Sequence, residues 1–452
     1  MDNAAPPRKA CTVNPLKLSR PLGGIMAFLG LDGSVPVIHG AQGCTAFGLV
    51  LLVKHFRESI PFQSTAMSEV STILGGGDNL EQAILNIAER SHPKVIGICS
   101  NGLIETRGED IDGDLKRIQS RHPELADTAL IHAATPDYKG AFQDGWSDAL
   151  TAIVKKLVTP STKHHSRQIN ILAGSHLTAA DIEDIRECVA AFGLEPLVLP
   201  DISGSLDGHL TDDFTGTTNG GTRVEEIRRM GASIATLAIG EQVREAANLL
   251  ETRCHIPSYM FPRLTGLLPC DEFVATLSRL SARPVPSRIR RRRSQLLDAM
   301  LDGHFYFGGK KVAIAAEPDL LFAYSQFLNE MGAKITCAVT TTTSPILDNI
   351  PADHVIIGDL DDIECNGAGS DLLISNSQAR RTAARMGIPL IAVGMPLFDR
   401  LGAAHRLSVG YRGTRNQIFD IANQFIAQDS NRESEHQPHT APGGSHAAIA
   451  AH

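Results

Sequence analysis

The stretch PVIHGAQGCTAFG, residues 36–48, sets one thiol, Cys44, among glycines and small residues directly after a short apolar run. Glycine has no Cβ, so glycines beside a thiol leave room for a bulky group to approach the backbone. Two chemistries use a cysteine in such a setting. As a nucleophile Cys44 needs a base and an orienting partner; His39 and His55 are near in sequence, but neither spacing defines a dyad. As a metal ligand it supplies one of the four thiolates that an iron–sulfur cluster usually takes. The motif alone leaves both open, beside plain core packing.

The other candidates carry less, and no catalytic residue is assigned. Of eight cysteines, the remaining seven stand at 11, 99, 188, 254, 270, 337 and 365, with no C-x-x-C among them. That argues against a zinc ribbon or a thioredoxin-type pair. Scattered thiols in a large chain are expected to be reduced, buried and apolar in behaviour. Cys254-His255 and nearby Cys270 are read as packing, because IPSYMFPRLTG lacks glycine-rich clearance. Gly220-Gly221-Thr222 precedes a helix whose first amides could hold an anion; an ordinary threonine cap on a surface loop is the favoured reading. Arg288-Ile-Arg290-Arg-Arg-Arg293 has no interleaved aromatics for base stacking. It is expected to be a solvated face of a linker helix, or a subunit contact using Arg–carboxylate pairs. No phosphate-binding G-x-x-x-x-G-K-[ST] occurs, nor a G-x-G-x-x-G following a strand. Histidines 436, 439, 446 and 452 are read as incidental to any metal site.

Positioning falls to α/β units, since short β-branched runs alternate with helical stretches. In the first third, GGGDNLEQAILNIAERSH reads as a helix capped by Asp78 or Asn79, followed by the strand KVIGICS and the turn Ser100-Asn101-Gly102. A second unit starts at QINILAGSH (168–176) and runs into Thr178-Ala-Ala-Asp181, a capping-box-like helix start; EPLVLPD and ASIATLAIG follow as strands. A third starts near residue 310 with KKVAIAAEPDLLFAYSQFLNEMGAKITCAVT and continues through HVIIGDL, DLLISNS and IPLIAVG. A length of 452 residues also exceeds one core and suggests roughly three domains. The expected fold is therefore three doubly wound, Rossmann-like domains with parallel sheets. They span 1–165, 166–300 with a linker helix, and 301–430, with joints near 160–167 and 283–309. A tail at 431–452 is expected to be disordered.

Net charge is −8, without the electrostatic footprint of a nucleic-acid binder. No apolar run approaches the ~20 residues of a membrane span, and MDNAAPPRKACTV has no apolar segment of signal-peptide type. A cytoplasmic protein with no nucleic-acid or membrane partner is expected.

Taken together, larger blocks carry a resemblance. NPLKLSRPLGGIMAFLGLDGSVPVIHGAQGC, HFRESIPFQSTAMSEVSTILGGGDNLEQAI and GICSNGLIETRGEDI resemble the β-type chains of the nitrogenase component 1 superfamily. AMSEVSTILGGGDNL is most similar to the β-like side of its iron–molybdenum cofactor assembly scaffolds. PDISGSLDGHL, NGGTRVEEIRRMG, PSYMFPRLTGL, GIPLIAVGMPLFDRLG and VGYRG extend the resemblance to near residue 428.

The resemblance implies a nitrogenase β-chain fold and makes the departures informative. Nitrogenase β chains place three cysteines around a bridging eight-iron cluster. Cys44 matches the second; Ser19 stands at the first position and Gly102 at the third. Cys99, inside the preceding strand, is not counted as a substitute. An eight-iron cluster fully ligated from this side is not expected. The family pattern implies instead a [4Fe–4S] cluster shared with a partner chain that supplies three ligands, Cys44 being the metal and cofactor ligand here. It also implies a NifE-like partner in an α2β2 heterotetramer, with the iron–molybdenum cofactor precursor held mainly by that partner. A cofactor-precursor donor protein and a nitrogenase reductase (Fe protein) are further implied partners, the reductase meeting the turn Leu74-Gly75-Gly76-Gly77. A β subunit of a related reductase, nitrogenase or the dark-operative protochlorophyllide reductase, and a metal-free metabolite-binding α/β protein are the alternatives.

Overall fold

Residues 12–210 and 215–436 are described in a computed structural model. Their strands form three parallel sheets. The first holds β1 (Ser34–His39), β2 (Gln63–Ser64), β3 (Val95–Ser100) and β4 (Ala129–Ala134) in the order β2-β1-β3-β4. The second holds β5 (Gln168–Ala173), β6 (Glu195–Leu199), β7 (Ala235–Ile239) and β8 (Ser258–Phe261), ordered β6-β5-β7-β8. The third holds β9 (Lys311–Ala315), β10 (Lys334–Thr340), β11 (Val355–Ile357), β12 (Leu372–Ser375) and β13 (Leu390–Ala392), ordered β11-β10-β9-β12-β13. Every residue of β1, β3 and β5 is buried. Helices cover both faces of such sheets, which is why these strands read as continuous apolar runs rather than alternating ones.

The first sheet is wrapped by α1 (Arg20–Leu29), α2 (Gln42–Phe56), α3 (Glu69–Leu74), α4 (Gly77–Ser91), α5 (Gly102–Arg107), α6 (Ile111–Arg121) and α7 (Phe142–Leu157). α1 and α7 lie almost backbone to backbone. A Cβ at Gly23 would stand 1.8 Å from the Phe142 carbonyl oxygen, and one at Gly145 would stand 1.7 Å from that of Arg20. Only glycine permits that approach. Trp146 of α7 is buried and donates its indole N–H to the Ala173 carbonyl at 2.8 Å, joining the first sheet's layer to the second.

The three sheets share one core, whose main cluster runs from Leu18 to Phe425. Polar bonds knit the joint. The Gln143 backbone N–H donates to Glu317 Oε2 at 3.2 Å, and Asp319 donates its N–H to Gln143 Oε1 at 3.2 Å. Asp319 Oδ2 accepts from both the backbone and the side chain of Gln242 at 3.1 and 3.0 Å. Burial raises these acids, Glu317 to about 7 and Asp319 to about 6.

The Thr178–Asp181 capping box forms, with reciprocal bonds of 3.1 and 3.0 Å. Two expectations change, and one strand is added. α4 is capped by Gly76, not by Asp78 or Asn79, because the Gly76 carbonyl accepts from Leu80 N–H at 2.9 Å. PSYMF contributes a strand, β8, paired with β7. The C-terminal helix Gly410–His436 continues past residue 430, where an irregular tail was expected; residues 437–452 lie outside the described ones. Among the described residues, no helix is long and apolar enough to cross a membrane.

Candidate functional site

Sheet register brings the candidate loops together. His39 pairs with Ser100 and Ser100 with Ala134, so three parallel strands end in line. The loops leaving them stand side by side at the C-terminal edge of the sheet, where open α/β sheets bind ligands. One leads into α2 and carries Cys44, the next opens α5 at Gly102, and the third carries Asp137 and Tyr138. Ser19 joins them as the N-cap of α1, since neighbouring Arg20 donates from Nη1 to the Lys139 carbonyl at 3.3 Å.

Cys44 sits in the first turn of α2 and is exposed. The N-cap, Ala41, provides no side-chain bond to the helix amides. A Cβ at Gly43 would meet nothing within 4 Å. Helix α2 also exposes large apolar side chains, Phe47, Val50 and Val53, Phe47 by 70%. Val70 and Ile73 of α3 and Leu103 of α5 are exposed as well, Ile73 by 77%. Exposed large apolar side chains are of the kind that partner surfaces cover when they are contiguous. Among the described residues, no three His, Cys, Asp or Glu side chains are grouped as a metal site. An exposed thiol of this kind fits a cluster that takes one ligand from the described residues of this chain.

Neither histidine serves Cys44 as a base. His39 is fully buried, with Nδ1 3.0 Å from Thr65 Oγ1 and Nε2 3.2 Å from Glu109 Oε2. A carboxylate only accepts, so Nε2–H donates to Glu109, while Thr65 Oγ1 also accepts from Gly40 N–H at 3.0 Å. Burial lowers the pKa of His39 against the opposing pull of Glu109. His55 lies at the far end of α2, where Nδ1 accepts Leu397 N–H at 3.0 Å, and burial lowers it to about 4. It ties α2 to the third domain, aided by Arg57 Nη2 donating to the Phe398 carbonyl at 2.9 Å.

A side chain at Gly102 would have to displace those of Asp137 and Tyr138. The Gly102 N–H donates to Asp137 Oδ1 at 3.0 Å, and a Cβ there would lie 2.3 Å from that oxygen and 2.8 Å from Tyr138 Cδ1. Cys99 points under α1, where a Cβ at Gly24 would stand 2.7 Å from its Sγ. It is fully buried, and burial pushes its thiol pKa up. Gly75, with φ of +125°, takes a conformation suited to glycine. Next to it, Gly76 donates its N–H to Glu109 Oε1 at 3.2 Å.

The remaining candidates are structural. Cys254 and Cys270 are buried, and Cys270 Sγ donates to the Leu264 carbonyl at 3.2 Å. His255 closes its helix in the left-handed region. Gly220 N–H is taken by Asp32 Oδ1 at 2.9 Å and Thr222 Oγ1 donates to the Val198 carbonyl at 2.6 Å, so this loop braces two domains. The arginine run lies on the helix Ser287–Phe307. There Arg292 pairs with Asp184 at 3.3 Å and Arg293 with Asp271 at 2.8 Å, so these arginines bind carboxylates of the same chain rather than of another subunit. Cys11 lies outside the described residues, as do the histidines at 439, 446 and 452. Sequence reasoning missed Thr65, Arg107, Glu109 and Asp137, because their partners come from other elements and no short spacing links them.

Comparison with known proteins places this geometry in a lineage. The family model for nitrogenase component 1 type oxidoreductases matches residues 19–426. The nitrogenase iron-molybdenum cofactor biosynthesis protein NifN of Bradyrhizobium diazoefficiens is 52% identical over 97% of this chain and 95% of its own length. Its namesake in Nostoc sp. is 51% identical over 94% and 96%, and that of Klebsiella pneumoniae 39% over 92% and 91%. Among solved structures, a chain of nitrogenase Cp1 at pH 6.5 superposes with a TM-score of 0.89 at 30% identity, covering 94% of this chain and 95% of that one. The chain belongs to the nitrogenase component 1 type oxidoreductase family, on its NifN branch.

Proposed function

We propose that this chain is the β-like subunit of a scaffold for iron–molybdenum cofactor biosynthesis. With a NifE-like partner in an α2β2 heterotetramer it holds a [4Fe–4S] cluster at the subunit interface while the cofactor precursor, held mainly by the partner, is matured and passed on. The relatives that match nearly the whole chain are named for cofactor biosynthesis, which supports the scaffold role. The observation that carries the cluster reading is the exposed Cys44 thiol on a helix with exposed apolar side chains, with no grouped set of metal ligands among the described residues.

Each residue then has a task. Cys44 ligates one iron, and Gly43 keeps the first turn of α2 clear. Phe47, Val50 and Val53 seat the partner and exclude water. The cluster supplies one-electron chemistry when bound. The turn at 74–77 meets the reductase, and a separate donor protein delivers the precursor; the protein operates in the cytoplasm.

Iron content tests the reading. The chain made alone is expected to purify without iron and to acquire it only with its partner. Cys44→Ala should lower iron in the complex while leaving the fold of the free chain intact. Full cluster occupancy in the isolated chain, or undiminished iron in the Cys44→Ala complex, would sink the proposal.

A further inference from the structure

Glu109 lies outside the ligand positions, yet its carboxylate is the junction between the glycine turn and the segment leading to Cys44. Its side chain is 11% exposed, and three donors from three elements share its two oxygens. Oε2 accepts from His39 at the end of β1 at 3.2 Å. Oε1 accepts from Gly76 N–H at 3.2 Å and is ion-paired with Arg107 Nη1 at 2.9 Å. The same Arg107 nitrogen reaches the carbonyls of Ser71, at 3.3 Å, and Thr72, at the end of α3. Such charge-assisted bonds are roughly twice as strong as neutral ones.

The contact continues through packing. A Cβ at Gly76 would lie 2.8 Å from His39 Cε1, so the turn rests on the imidazole ring. His39 is followed by Gly40, whose N–H is held by Thr65 and whose Cβ position is 2.4 Å from Asn101 Nδ2. Ala41 then caps α2, and Cys44 lies in its first turn. Close-packed interiors transmit small displacements instead of absorbing them.

We propose that Glu109 is a positioning residue that couples the glycine turn at 74–77 to the helix bearing Cys44, so that a protein docking on the turn alters the setting of the bound cluster. This rests on the reading above, in which Cys44 holds a shared cluster and the turn meets a reductase. Glu109→Gln keeps the shape but leaves one acceptor oxygen for three donors, so the junction is broken without opening a cavity.

The test uses the purified complex with its partner and compares wild type, Glu109→Gln and Arg107→Ala. Iron per complex and melting temperature are measured first, then the change in the electron paramagnetic resonance signal of the reduced cluster on adding saturating reductase. Wild type should show a change. Glu109→Gln should retain iron and a cooperative melt, shifted lower by the lost bonds, but lose most of the spectral response, at least fivefold. Arg107→Ala, which frees the end of α3 without touching His39, should lose it in part and carries the test if Glu109→Gln does not fold. A full response in a folded variant overturns the proposal, as does a wild-type complex that holds iron and does not respond. Iron that persists in Cys44→Ala refutes the ligand reading separately.

Discussion

The backbone of Gly76 presses on the imidazole of His39: a Cβ added at 76 would stand 2.8 Å from Cε1 and 2.9 Å from Nε2, with Met67 Cε also at 2.9 Å. The ring is buried and held at both nitrogens, so it has no free rotamer to yield into. Gly76→Ala is therefore expected to destabilise the first domain by about 1–3 kcal/mol, the usual cost of overpacking. Its backbone lies in the right-handed region, so the loss reports the contact and not the dihedral. Urea unfolding of the free chain measures it, and an unchanged midpoint would show that the turn does not rest on His39.

Gly43 is the contrasting case, open on every side in the chain by itself. In the first turn of an α-helix, Gly43→Ala should leave the free chain unchanged or more stable by up to ~1 kcal/mol. Gly43→Leu should also fold, yet lower iron in the assembled complex by crowding the space beside Cys44. Calorimetry of the free chain and iron analysis of the complex together separate clearance for a cluster from ordinary helix propensity. A Gly43→Leu complex with full iron would remove the clearance role.

Restoring cysteines at Ser19 and Gly102 is expected not to enlarge the cluster. Ser19 is exposed, but a side chain at 102 meets Asp137 Oδ1 at 2.3 Å and Tyr138 at 2.8 Å. The double variant Ser19→Cys with Gly102→Cys should hold the same iron per complex as wild type and melt lower. Iron analysis that doubled per complex would show that the third loop opens readily.

His55 makes the joint between α2 and the third domain sensitive to acid. Its Nδ1 accepts a hydrogen bond from Leu397 N–H, and burial holds it neutral down to about pH 4, against an ordinary 6.5. The folded pKa is lowered, so between these values the unfolded chain binds the extra proton and stability falls as pH falls. His55→Gln keeps an acceptor but does not titrate. The stability advantage of wild type over this variant should be constant above pH 6.5 and shrink steadily toward pH 4. Denaturant midpoints across that range check it, and parallel curves would count against the assignment.

The sequence by itself determined what short-range sterics determine. Continuous β-branched runs such as VIGICS and QINILA announce strands buried on both faces, and Thr178-x-x-Asp181 announces a helix start through bonds three residues apart. The thiol in GAQGC stood out because glycine's missing Cβ is a local property, and the departures at Ser19 and Gly102 were legible as residue types. Even local signals faltered where the tertiary setting competed. Two polar residues suited to capping α4 were passed over for Gly76, whose backbone lies between His39 and the Glu109 carboxylate.

Only the tertiary structure decided which residues meet. Thr65 is 26 positions from His39 and Glu109 is 70 away, and both are brought to its ring nitrogens by strand register. Asp137 fills the space beside Gly102 because β3 and β4 end in line. His55 lay close to Cys44 in sequence, yet the length of α2 carries it to a different domain. Side-chain periodicity is written within one element, whereas the register between elements follows from the packing of all of them at once.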